Sequence, residues 1–309
     1  MKRFNRNSFF REILKNRTLY LMFTPIAVYF ILFAYIPMTG IVLAFKTLNY
    51  RAGIFGSPWS GLANFRYFFV SGKAWQVTQN TVVYNLLFLF SYTVLSVLAA
   101  ILISDMTGRL FKKLTQSLML LPYFISWVTV SALMYSLFNY EFGLINNILK
   151  AIGAQPVSIY TDPAGWHIIL PALYVWKWIG FGSILYLAAI MGIDQECYEA
   201  AGIDGANAFQ KISRITLPLL KPTMFILILL GVGRIMRGEF DMFFQIVGNN
   251  GLLMAKTDII DTLVFRSLMG SADYGMAAAA GYYQSVLCFV IIVSVNFLVK
   301  KHEPDYALF

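Results

Sequence analysis

Ionisable side chains are scarce in this chain of 309 residues: Asp, Glu, Lys and Arg together make up 13%, while apolar types reach 59%. That balance excludes an ordinary water-soluble domain, in which about a quarter of the residues are charged. The two histidines, His167 and His302, give little basis for a histidine metal centre or a histidine-based catalytic site. The two cysteines, Cys197 and Cys288, belong to separate topological regions. They imply no disulfide framework, and each reads as a small packing residue. Glycine-rich nucleotide loops, metal-ligand spacings and low-complexity tracts are missing. A net charge of +9 remains, but its basic residues sit beside apolar runs and not on one polar face, which argues against a nucleic-acid partner.

What is abundant is long apolar sequence. A chain that uses the bilayer as solvent must satisfy its own backbone, as helices or as a closed barrel. A barrel would show alternating segments of about 10 residues, and the runs here are unbroken. Crossing the hydrocarbon takes about 20 apolar residues as a helix. Six stretches qualify: 19–45, 80–103, 115–138, 167–193, 222–247 and 276–299. The first is too long for the apolar core of a signal peptide and lacks a small-residue cleavage site, so it reads as a retained helix kinked near Pro25 or Pro37. The fold class expected is an all-α polytopic membrane protein of six transmembrane helices.

Lysine and arginine placement orients the spans. With the N-terminus inside, Lys2, Arg3, Arg6, Arg11, Lys15, Arg17, Arg109, Lys112, Lys113, Lys211, Arg214, Lys221, Lys300 and Lys301 are cytoplasmic. Lys46, Arg51, Arg66, Lys73, Lys150, Lys256 and Arg266 are outside. The excess inside is about two to one, as the positive-inside rule requires. The organisation expected is a basic cytoplasmic tail at 1–18, a six-span membrane domain at 19–299, and a cytoplasmic tail at 300–309. External connections fall at 46–79, 139–166 and 248–275.

The cytoplasmic segment 194–221 is unusual. Asp194 can cap a short helix, and Gly202 and Gly205 can break it at a tight bend. Phe209, Ile212 and Ile215 then recur at helical spacing until Pro218, where the run should stop. Two short helices with a sharp corner make a rigid knob for another protein to hold. The order Glu199, Ala200, Ala201, then Asp204, Gly205, Ala206, then Leu217, Pro218 resembles the EAA motif of permease subunits in bacterial ABC importers. Further stretches, among them 35–46, 53–65, 80–84, 257–266 and 273–278, resemble the LplB-like branch of carbohydrate importer permeases, which includes permeases for alginate and pectin fragments.

This resemblance covers nearly the whole chain. It implies a type I importer fold in the cytoplasmic membrane with both termini cytoplasmic. It also implies a homologous second permease, two cytoplasmic ATPase subunits that carry ATP and Mg, and an extracellular solute-binding lipoprotein. This chain would itself bind no cofactor and catalyse nothing. Glu199, Ala200, Ala201, Asp204, Gly205 and Ala206 become the ATPase-docking residues, with the glycine making the corner.

Charges inside apolar runs cost about 2.5–3.5 kcal/mol each, and so they are functional candidates. Lys177 in the fourth span and Arg234, Arg237, Glu239 and Asp241 in the fifth are of this kind, set against a plainer role in internal pairing, such as Arg237 with Asp241. Arg234 and Arg237, three apart, would share a helix face. Trp178 and Phe244 are aromatic candidates for the same path, since sugar rings present apolar C–H faces. The expected cargo is an oligosaccharide, and an acidic one would give the arginines a carboxylate to bind. Two other classes compete. An ion-coupled secondary transporter would show internal repeats with paired broken helices. A polytopic membrane glycosyltransferase would need an acidic or histidine cluster at one membrane face.

Overall fold

The structure, a computed structural model, describes residues 15–302. Residues 1–14 of the expected N-terminal tail and 303–309 of the C-terminal one lie outside it. The described chain is helical, with one isolated bridge between Lys46 and Trp59. Five helices are long and apolar enough to cross a membrane: α1 (Arg17–Phe45), α2 (Lys73–Ser104), α5 (Trp166–Met191), α7 (Ala208–Val232) and α10 (Tyr274–His302). A sixth candidate is a pair bent by 93°, α3 (Arg109–Phe124) and α4 (Trp127–Phe138). Between these lie α6 (Gln195–Ile203), α8 (240–247) and α9 (Ile260–Met269).

Helix α2 is the spine. Its Val77 joins a cluster with Phe68, Met236, Ile260 and Ala280, and its Tyr84 and Phe88 join another with Trp127, Trp166, Phe243 and Ile259. Further along, Val97, Ala100 and Ile103 meet Tyr186, Ile190 and Leu220. In lipid, such contacts gain little from the hydrophobic effect, so close packing and hydrogen bonds must hold the helices together. The most apolar part of helix α1 is not buried within the chain, but its far end packs on α10, with Ala44 buried and Phe45 against Tyr282 at 5.7 Å.

Prolines shape the helices differently from the sequence expectation. The chain stays helical through Pro25, and the irregularity falls before Pro37. There a wide π turn spans Ile31–Tyr35, and the Ile36 N–H bonds to the Ile31 carbonyl. The helix then tightens into a 3-10 turn over Thr39–Phe45. The same device precedes Pro218, where a π turn at Ile212–Thr216 ends with the Leu217 N–H on the Ile212 carbonyl. The ladder shifts by one residue ahead of a proline that has no N–H to give. Pro218 therefore does not stop the helix, and α7 runs unbroken from Ala208 to Val232.

Two expected spans are interrupted. The third, drawn at 115–138, bends at 125–126, and the fifth, drawn at 222–247, stops at Val232 and resumes at Phe240. The segment 248–275, expected as an external connection, packs into the bundle: Ile259 and Ile260 are fully buried. The Ile260 N–H donates to Thr81 Oγ1 of α2 at 3.1 Å, and Asn80 donates to the Asp258 carbonyl at 2.9 Å. Asp258 is paired with Arg266 and accepts from the Thr262 hydroxyl at 2.6 Å.

Candidate functional site

The interrupted fifth span opens onto a cavity of about 640 Å³ between α2, α5 and α7. From α2 come Asn85, Phe88, Leu89, Tyr92 and Thr93, at the i, i+3, i+4, i+7 and i+8 positions of one helix face. Tyr174 and Tyr186 enter from α5. Phe88 and Tyr174 stack with centroids 4.5 Å apart, and Tyr92 meets Tyr174 edge-on at 6.1 Å. The wall is thus aromatic, with phenol oxygens as its polar points.

Arg234, Arg237 and Glu239 supply the charge, and all three sit at or beside the break. Past Val232 the chain turns with short-range bonds, the Arg234 N–H to the Gly231 carbonyl and the Arg237 N–H to the Arg234 carbonyl. The arginines share the cavity because of this turn and not through a regular helix face. The expected pairing of Arg237 with Asp241 is absent, because the helix that would align residues four apart is not there. Among the described residues the ion pair within 4 Å is Asp258–Arg266, so neither cavity arginine has a carboxylate within 4 Å, and Glu239 is the acid that shares the cavity with them.

Lys177 has another place. Its ammonium donates to the carbonyls of Pro122 (3.4 Å), Tyr123 (3.3 Å) and Ile125, and lies 5.0 Å from the centroid of the Trp127 ring. Those carbonyls end α3 at the 93° corner, where the ladder runs out: Pro122 still accepts the Ile125 N–H at 3.1 Å, and Lys177 supplies a donor to Tyr123 and Ile125 as well. A cation there also meets the negative end of the helix dipole. Lys177 and Asp241 line a second cavity of about 390 Å³ beside this corner, with Trp127 and Gln245. Glu239 lines the large cavity, and Lys177, Arg234 and Asp241 are its charged neighbours.

The two aromatic candidates lie outside the large cavity. Trp178 packs edge-on against Tyr123 at 5.3 Å. Phe244 stacks on Phe240 at 5.3 Å and meets Phe265 at 4.7 Å. The cavity's own aromatics, Phe88 and Tyr92, were missed although their spacing with Asn85 was readable. Also missed were Asp261 and Gln284, which bond to the break from other helices.

The elbow at 194–207 is built from local signals. The Asp194 carboxylate accepts the Glu196 N–H at 3.1 Å and starts α6. The helix ends in a Schellman turn, with the Ala206 N–H on the Ala201 carbonyl (2.8 Å) and the Gly205 N–H on the Gly202 carbonyl (3.1 Å). Gly205 carries the left-handed φ of +76° that this turn requires. Gly202 remains inside the helix and does not break it. Asn207 and Gln210 then form a reciprocal capping box, at 2.8 and 2.9 Å, that starts α7. Tyr198 ties α6 to α7 through a 2.9 Å bond with Thr216.

Glu199, Ala200, Asp204 and Gly205 are exposed, and Ala201 and Ala206 are half-buried. Beside them Ile203 and Phe209 are 88% and 77% exposed. A rigid corner with small residues, an acid and two bare apolar side chains suits a protein partner.

A multi-helix bundle with interrupted spans around an internal cavity, and a stiff elbow outside it, defines a membrane transport component. The chain belongs to the family described as the binding-protein-dependent transport system inner membrane component, which its residues 92–304 match. It is 30% identical to the polygalacturonan/rhamnogalacturonan transport system permease protein YteP of Bacillus subtilis, over 95% of this chain and 91% of that one. To protein LplB of Bacillus subtilis it is 29% identical, over 96% and 93%. A solved chain of a bacterial ABC transporter involved in the import of the acidic polysaccharide alginate superposes with a TM-score of 0.87 at 31% identity, covering 96% of this chain and 99% of that chain. The fold is that of an ABC importer permease, multi-pass in the inner membrane. Members of this family are transport subunits and not catalysts, and the ATPase is a separate subunit.

Proposed function

We propose that this permease passes a polysaccharide-derived, acidic oligosaccharide through the large cavity by alternating access. One observation carries the reading: Arg234 and Arg237 enter an aromatic-walled cavity of about 640 Å³, where two cations face one acid, Glu239, and neither has a carboxylate within 4 Å among the described residues. The volume lies within the ~300–1,000 Å³ usual for ligand sites. Guanidinium groups bind carboxylates in a bidentate fork, while the half-buried rings of Tyr92 and Tyr174 offer apolar surface and phenol oxygens to a sugar. The pectic and alginate substrates in the relatives' descriptions support the same class of cargo.

The complex would comprise a homologous second permease, two cytoplasmic ATPase subunits and an extracellular solute-binding lipoprotein. The elbow is the docking point for an ATPase subunit. Glu199 and Asp204 present charge, the alanines allow close approach, and the Gly205 corner transmits displacement to α7, which runs without interruption from the elbow to the cavity. ATP-driven closure of the ATPases would then move the lower wall of the cavity directly.

The test is uptake of trigalacturonate and of maltotriose by the reconstituted importer with its binding protein. The wild type should prefer the acidic sugar. Loss of one charge-assisted contact of about 1.5–3 kcal/mol in Arg234→Gln or Arg237→Gln should raise KM for it by roughly ten- to a hundredfold. A wild type that prefers the neutral sugar, or variants with unchanged KM, would refute the acidic cargo.

A further inference from the structure

The break that opens the cavity frees backbone groups from the helical ladder, and side chains from other helices take up two of them. The Gly238 N–H donates to Asp261 Oδ2 at 2.8 Å. The Met236 carbonyl accepts from Gln284 Nε2 at 2.6 Å, and the same amide reaches Asp261 Oδ2 at 3.1 Å. One carboxylate from α9 and one amide from α10 thus close a ring over residues 236–238.

Steric fit enforces the same register. A Cβ on Gly238 would stand 2.2 Å from Ile259 Cδ1 and 3.1 Å from Asp261 Oδ2. Ile259 is fully buried, so its Cδ1 could give way only by repacking the core around it. Helix α9 is itself pinned to α2 through Thr81 and Asn80. The path of the break is therefore set from α2, through α9, and not by its own helix.

We propose that Asp261 and Gln284 are positioning residues for the cavity: they hold the break in the one path that turns Arg237 and Glu239 into it. Neither lines the cavity; both act through the backbone on which its charges are mounted. Among the described residues Asp261 has no cation within 4 Å, and its Oδ2 faces the Gly238 N–H and the Gln284 amide. Because the ring joins three helices, a displacement of α7 relative to α9 and α10 must strain or open it and move Arg237. The inference rests on the cavity being the substrate path only for its consequence in transport.

The test uses the detergent-purified importer complex with Cys197→Ser and Cys288→Ala, carrying either Arg237→Cys or Asn85→Cys as a reporter. Labelling rates with a charged methanethiosulfonate are measured. Asp261→Leu and Gln284→Met should each slow modification of the thiol at 237 at least tenfold and leave the thiol at 85, across the same cavity, within twofold. Asp261→Asn keeps an acceptor for Gly238 and should stay within about threefold of the parent at 237. Unchanged labelling at 237, or equal loss at both reporters, overturns the proposal. Should the leucine variant fail to assemble, Gln284→Met decides on the same scale. In the background with Arg237 restored, Asp261→Leu should raise KM for trigalacturonate at least tenfold. Slowed labelling with unchanged uptake would leave the positioning role standing and remove the cavity from the transport path.

Discussion

Replacing Gly205 tests the elbow most directly, because the structure separates the two costs of such a substitution. Nothing lies within 4 Å of where a Cβ would stand, so steric overlap contributes nothing. The φ of +76° contributes everything. For an ordinary L-residue the left-handed conformation costs roughly 1–2 kcal/mol, and asparagine tolerates it better. A β-branched residue should pay more than alanine. Proline cannot adopt this φ and also deletes the Gly205 N–H bond to Gly202.

If the ATPase binds the elbow only in its native bend, that strain is charged to assembly. Gly205→Asn should then assemble nearly as the parent, and Gly205→Ala should bind ATPase about five- to thirtyfold more weakly. Gly205→Val should be weaker still, and Gly205→Pro should neither assemble nor transport. Titration of the ATPase subunit onto nanodisc-embedded permease, alongside uptake, reads both quantities. The membrane helices should be unaffected, so each variant should still reach the membrane in normal amount. Parental affinity and transport in Gly205→Val would refute the claim that this turn carries the coupling.

Lys177→Met would leave the carbonyls of Pro122, Tyr123 and Ile125 without their shared donor. A loss of about 2–4 kcal/mol should appear as a lower thermal midpoint for the detergent-solubilised chain, with Lys177→Arg recovering part of it; an unchanged midpoint would contradict the capping role. Arg266→Leu strands Asp258, which is 8% exposed, and should cost about 3 kcal/mol. Asp258→Asn added to Arg266→Leu should restore part of that, and a double variant worse than the single one would mean the pair is not coupled as described.

Much of this protein could be read from composition and local pattern. Long unbroken apolar runs set the helices because a closed barrel, the other element that satisfies a backbone in lipid, needs short alternating segments. Chemistry within a few residues built the elbow: Asp194 as cap, Gly205 as corner, and Asn207 with Gln210 as capping box. The Asn85, Phe88, Tyr92 stripe was equally local and simply went unread. What the sequence could not show depends on partners far along the chain. Lys177 looked like a path residue because a buried charge is costly, and only the corner 52–55 residues away reveals the carbonyls that stabilise it. The break at 233–239 reads as helix in the sequence, since Ile235 and Met236 bridge the apolar runs on either side of it and two glycines and three charges do not by themselves end a span. Its cause lies in Asp261 and Gln284, 23 and 48 residues beyond the groups they hold. Apolar periodicity reports where a helix can form, whereas tertiary hydrogen bonds that compensate the lost ladder decide where it is interrupted.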